Sequence, residues 1–246
     1  MPPPFASERV RALLLDIEGT TTPIDFVFHT LFPYAAEHLG SFLARHGEEP
    51  EVLAIAGQLA AEHRQDRERG APAWNGGLAK ETLDEAAAYV RWLMSRDSKG
   101  TALKALQGRI WEEGFSAGLL RGEVYPDVAP AFARWRAAGR RLAIFSSGSV
   151  LAQRLLFRHS TAGDLSASLE AYFDTATGAK REAASYAKIA AALGLRPEDV
   201  LFLSDTGAEL DAARHAGLAT AHSLRPGVTP LAGGPHPEIR SFAELL

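Results

Sequence analysis

Three short apolar runs constrain this chain more than any other feature, because each stops at a polar residue in a turn. Residues 10–15 read VRALLL and end at Asp16. Residues 141–145 read RLAIF and end in Ser146-Ser147-Gly148-Ser149, and residues 200–203 read VLFL and end in Ser204-Asp205. A short run of this kind, bounded by turn formers, predicts a strand buried on both faces, as in a parallel sheet. LATA at 218–221 is a weaker fourth run. Segments with apolar residues at helical spacing lie among these strands. They cover 130–138, 149–157 (opening on Ser149 as a possible cap), 180–193 and 208–216; Gly139, Gly194 and Gly217 close three of them. Alternation of helix and strand predicts an α/β domain with a mainly parallel sheet.

The block from residue 24 to 120 has a different texture. It is rich in Ala, Leu, Glu and Arg, without β-branched runs, and 51–69, 79–95 and 101–114 all have helical patterns around a break at 72–77. The expected organisation is therefore an α/β core from residues 1–23 and 121–246, with an all-helical domain, 24–120, inserted after the first strand. A loop is expected over 225–237 and a short helix or turn over 241–246. At 246 residues and 46% hydrophobic the chain can bury a sizeable core.

Several function classes are disfavoured. A net charge of −4 argues against a nucleic-acid or membrane-surface binder, though a few local cations can still hold an anionic substrate. The absence of cysteine removes disulfides, thiolate catalysis and cysteine-based metal sites, and fits a reducing cytoplasm. MPPPFASERV has no apolar signal core, and no stretch approaches the ~20 apolar residues of a membrane span. The eight histidines show no HExxH or other tight metal spacing. Neither a P-loop, nor a GxGxxG after the first strand, nor a GxSxG frame around Ser147 is present.

What remains is a set of polar groups at strand ends, where open α/β sheets bind their ligands. Asp16 can act as a nucleophile on phosphorus, since carboxylates form acyl-phosphates. Glu18 can protonate a leaving oxygen and then deprotonate water. Taken alone, Asp16-Ile17-Glu18-Gly19-Thr20 serves equally as a capped turn. Ser146 and Ser147 offer hydroxyls and backbone N–H groups to an anion, or simply cap a helix. Lys180 can bridge phosphate and nucleophile as a point charge, or point into solvent. Asp205 can supply a carboxylate to Mg²⁺, which prefers few carboxylates, phosphate and water. Glu209, one helical turn later, can orient Asp205, bind through water or complement the helix dipole.

In this order, the clusters of Asp16 with Glu18, Ser146, Lys180, and Asp205 with Glu209 resemble the haloacid dehalogenase-like superfamily. DIEGTTTPIDFV (16–27), TALKALQGRIWEEGF (101–115), IFSSGSVLAQRLLF (144–157), SYAKIA and FLSDTGAELDAA resemble, more closely, the enolase-phosphatases of methionine salvage. The resemblance implies a Rossmann-like core with a parallel sheet and an inserted helical cap. The implied activity enolises 2,3-diketo-5-methylthiopentyl-1-phosphate, then removes phosphate to leave the acireductone 1,2-dihydroxy-3-keto-5-methylthiopentene. It also implies one Mg²⁺ per chain, held by Asp16, the backbone carbonyl of Glu18 and Asp205. Ser146, Ser147 and Lys180 are the implied substrate contacts, and a monomer is the implied state. Phe26, Phe28 and Trp74 are weak candidates for the pocket of the methylthio tail.

Overall fold

The structure, a computed structural model, describes residues 9–96, 98–231 and 234–245. The N-terminal segment 1–8 and the last position of the expected final turn lie outside the described residues.

Six strands form one parallel sheet: β1 (Ala12–Leu15), β2 (Arg141–Phe145), β3 (Ala171–Phe173), β4 (Val200–Ser204), β5 (Ala219–Ser223) and β6 (Glu238–Ile239). Their order is β3-β2-β1-β4-β5-β6, with the first strand in the interior. All four residues of β1 are fully buried, which is why its sequence is apolar on both faces. Burying each leucine contributes about 1.5–3 kcal/mol, so polar residues are excluded until the strand ends. Leu15 pairs with Ile144 on one side and Leu203 on the other. That register puts the carboxyl ends of β2, β1 and β4 level, with Asp16, Ser146 and Asp205 just beyond them. The edge strands β3 and β6 have no sequence signature, because three and two residues are too few to display a period.

The helices are α1 (Ile24–Phe26), α2 (Phe32–His46), α3 (Pro50–Asp66), α4 (Leu83–Ser95), α5 (Thr101–Ser116), α6 (Val128–Ala137), α7 (Val150–Arg158), α8 (Ala183–Ala192) and α9 (Gly207–His215). The chain divides into two compact units. One runs to Val27 and resumes at Arg121; the other is Phe28–Leu120.

In the first unit, Tyr186, Ile189 and Ala190 of α8, Leu193 just after it, and Leu210 and Ala213 of α9 pack with Leu14, Phe145 and Phe202 of the sheet. Ser149 caps α7 by accepting from Ala152 N at 3.3 Å. The helix expected from residue 180 starts only at Ala183. The turn before it is held out of helical register: Ser185 Oγ donates to Ala179 O and Tyr186 OH to Lys180 O, both at 2.7 Å.

The second unit is helical, α2 packing on α4 and α5, and α3 on α5. Its break at 72–77 is a pinned loop. Trp74 is buried against the Tyr89 ring, its indole N–H donates to Gly77 O at 2.8 Å, and His63 Nε2 binds Pro72 O at 2.7 Å. Phe26 is likewise buried, whereas Phe28 is half exposed. No described helix is long and apolar enough to cross a membrane.

Candidate active site

The loop after β1 is built to present Asp16. Asp16 N donates to Leu203 O at 2.9 Å, so the backbone stays on the β4 ladder one residue past the strand. The chain then turns sharply, with Thr20, Thr21 and Thr22 N all donating to Ile17 O, and Thr21 Oγ1 donating to Asp16 O at 3.1 Å. Gly19 sits in this turn at φ 64°, a conformation that costs other residues energy. A Cβ placed on it would lie 2.3 Å from Asp205 Oδ2. The space above Gly19 is therefore where the Asp205 carboxylate comes to rest, beside the loop that carries Asp16.

The Asp16 side chain is buried and gripped at both oxygens. Oδ1 accepts from its neighbour's amide, Ile17 N, at 2.8 Å and lies 2.6 Å from Lys180 Nζ. Oδ2 accepts from Ser204 Oγ at 3.0 Å. Lys180 Nζ also lies 2.7 Å from Glu209 Oε2, making a buried carboxylate–ammonium–carboxylate triad. Burial pulls the Lys180 pKa down, but the Asp16 and Glu209 charges more than offset this and hold it above the ordinary value. Burial, then the Asp16 charge, raises Glu209. Burial and the Asp16 charge likewise raise Asp205. Two carboxylates thus share one ammonium while a third, Asp205, lies beside the same loop, an arrangement that favours a further cation.

Asp205 is held from two sides. Thr206 Oγ1 donates to Oδ1 at 3.0 Å, and the fully buried His222, on β5 opposite Ser204, bonds the backbone carbonyl through Nε2 at 3.1 Å. Ser146 is buried beyond β2, its hydroxyl accepting from Gly148 N at 3.2 Å. Ser147 is half-buried in the same bend. Gln153 fastens that bend, donating to Gly148 O and Phe173 O, each at 2.9 Å. Glu18 lies half-buried in the turn, its backbone bridged to Thr22.

Direct contacts thus join Asp16, Lys180 and Glu209, and Gly19 brings Asp205 against the same loop. Ser146 and Ser147 belong to the neighbouring loop at the same end of the sheet. Among the described residues no three His, Asp or Glu side chains form a ready metal cage. Sequence reading missed three supporting residues: Ser204, His222 and Arg225. Arg225 is buried between the rings of Tyr125 and Phe242 and donates from Nε to Thr20 O at 3.1 Å. The position of Ser204, next to Asp205 at a strand end, was the available clue. His222 and Arg225 carry no local pattern.

The haloacid dehalogenase-like hydrolase model matches residues 10–217. The chain is 55% identical over 196 residues to enolase-phosphatase E1 of Synechococcus elongatus, covering 80% of this chain and 81% of that protein. It is 46% identical over 237 residues to the protein of the same name from a Pseudomonas aeruginosa strain, covering 96% and 98%. Among solved structures, the UTR4 protein of Saccharomyces cerevisiae superposes with a TM-score of 0.77 at 33% identity, over 94% of this chain and 98% of that one.

Proposed function

The chain belongs to the haloacid dehalogenase-like hydrolases and, within them, to the enolase-phosphatases, and from that premise we propose that Asp16 is the nucleophile of its phosphatase reaction. The substrate we infer is 2,3-diketo-5-methylthiopentyl-1-phosphate. It is enolised and then dephosphorylated to the acireductone 1,2-dihydroxy-3-keto-5-methylthiopentene. The observation that carries this reading is the Asp16–Lys180–Glu209 triad at the carboxyl ends of the central strands.

Magnesium fits the donor set. The Asp205 carboxylate rests over Gly19, beside the loop that carries Asp16, and burial together with the Asp16 charge raises its pKa. Asp16, the Glu18 backbone carbonyl and Asp205 would hold one ion per chain, few protein oxygens being the pattern Mg²⁺ prefers. Bound there, the ion supplies charge neutralisation for phosphoryl oxygens.

The protein's own groups do the rest. Lys180 pairs with the incoming phosphate as well as with Asp16, and so lowers the repulsion between two anions. Ser146 and Ser147 hold phosphoryl oxygens. One oxygen of Asp16 attacks phosphorus, the bond from phosphorus to the enol oxygen breaks, and an aspartyl-phosphate forms. Glu18 gives its proton to the departing oxygen. It then takes a proton from a water that attacks phosphorus, releasing phosphate and restoring Asp16. Glu209 keeps Lys180 in place. The enzyme works as a monomer in the cytoplasm, on a small phosphate ester.

The test is incubation of the purified chain with the diketone phosphate and Mg²⁺, following the enol by ultraviolet absorbance and phosphate colorimetrically. Both signals should rise, phosphate should vanish in Asp16→Asn with the fold retained, and Glu18→Ala should slow turnover. An Asp16→Asn variant that releases phosphate at the full rate removes the nucleophile assignment. Turnover of simple phosphate esters with no reaction of the diketone removes the substrate.

A further inference from the structure

Ser204 ends β4 fully buried, and its hydroxyl touches two carboxylates: Asp16 Oδ2 and Glu209 Oε2, each at 3.0 Å. A serine hydroxyl has one proton to donate and two lone pairs. Thr206 N donates to one lone pair at 3.1 Å, which turns the O–H bond toward the carboxylates. A single proton cannot serve two ionised acceptors. Glu209 Oε2 already receives the Lys180 ammonium at 2.7 Å, whereas among the described residues Ser204 is the one donor to Asp16 Oδ2. The proton therefore goes to Asp16. Ile17 N and Lys180 hold the other oxygen, so the carboxylate is fixed at both ends and cannot turn about Cβ–Cγ. The bond from Asp16 N to Leu203 O sets the two strand ends side by side and makes the span a fixed one.

We propose that Ser204 is a positioning residue for the reaction: its hydroxyl sets the rotation of the Asp16 carboxylate for attack on phosphorus. The inference rests on Asp16 being the nucleophile. No bond to Ser204 forms or breaks; it acts through Asp16. Attack needs a near-aligned oxygen, and a carboxylate held at one oxygen alone samples misaligned rotations more often than one held at both. Losing the hydroxyl should thus lower kcat while leaving substrate binding alone.

Ser204→Ala removes the hydroxyl with almost no change of shape, and Ser204→Cys keeps a weaker donor. The expected order of kcat is Ser, Cys, Ala, with Ser204→Ala down about tenfold to a hundredfold, the scale of a hydrogen bond to a charged group. KM should stay close to the parent value, and the melting temperature should fall by only the few degrees that one buried hydrogen bond is worth. Inhibition by orthovanadate, which mimics the five-coordinate phosphorus, should weaken roughly in step with kcat, while inhibition by inorganic phosphate should not change. Full kcat in Ser204→Ala, beside an inactive Asp16→Asn, overturns the positioning role and leaves the nucleophile in place. An active Asp16→Asn would instead remove the reading on which the inference rests. Equal weakening of vanadate and phosphate, or a kcat loss accompanied by a fall in melting temperature well beyond a few degrees, would make Ser204 a structural residue and also overturn the proposal.

Discussion

Lys180 Nζ lies 2.6 Å from Asp16 Oδ1, joining a residue of the turn before α8 to one at the end of β1. The contact is buried and shared with Glu209, so the ammonium is the counter-charge for two acids.

Removing it should be costly before any substrate is present. Lys180→Met leaves Asp16 and Glu209 facing each other in a poorly solvated site, and breaking a buried pair from one side costs about 3–5 kcal/mol. Denaturant melts in EDTA at pH 8 should report that loss. It should shrink at pH 5, where Glu209, already raised, takes up a proton. Titration of Lys180 itself adds no slope between pH 5 and 8. A lysine whose folded pKa is raised gives its full stabilisation below the unfolded value of about 10.4 and loses it only as pH climbs through the folded one.

Gly19→Ala should disable the site by displacing Asp205. The new Cβ would lie 2.3 Å from Asp205 Oδ2, in a backbone conformation that costs a residue with a Cβ about 1–2 kcal/mol. The expected result is a small fall in melting temperature with a large fall in Mg²⁺ affinity. Calorimetric Mg²⁺ titration of the variant measures the second directly.

Asp127 anchors the C-terminal segment away from the reacting groups. Its Oδ2 accepts from Arg225 Nη1 at 2.8 Å, Ser241 Oγ at 2.9 Å and Phe242 N at 2.6 Å. Burial raises its pKa, but these hydrogen bonds and the Arg225 charge outweigh that and leave it below the ordinary value. A depressed carboxylate contributes stability above the unfolded pKa of about 3.9 and loses it as pH falls through the folded one. Asp127→Asn should therefore cost about 2 kcal/mol at pH 7, the scale of hydrogen bonds to a charge. As pH falls below the unfolded value and through the depressed folded one, the variant and parent melts should draw together.

Magnesium removal should silence turnover and lower stability together. A ligand that binds the folded chain stabilises it by about 2.7 kcal/mol at a hundredfold excess over Kd. EDTA should therefore abolish phosphate release and lower the melting temperature, and Mg²⁺ should restore both. Asp205→Ala should show no melting shift on adding Mg²⁺; an unchanged shift would take Asp205 out of the ligand set.

Strand ends were the legible part of this chain. Full burial excludes polar side chains, so the apolar runs of β1, β2 and β4 stop sharply at Asp16, Ser146 and Ser204-Asp205, and the α/β alternation follows from them. The two-residue β6 and the three-residue β3 were invisible because a period needs more residues to appear. The start of α8 was misplaced because tertiary hydrogen bonds from Ser185 and Tyr186 claim the carbonyls that a longer helix would have used.

The sequence by itself determined which chemical groups stand at the ends of the buried strands, since local hydrophobic pattern decides where a strand can continue. Only the tertiary structure decided which of those groups meet. Strand order places β4 next to β1 and so sets Ser204 on Asp16, while the packing of α8 carries Lys180 into the same contact. His222 and Arg225 were drawn in by the same long-range pairing. A hydrogen bond or ion pair between residues far apart in the chain depends on register and packing, and neither is written in the neighbours of either residue.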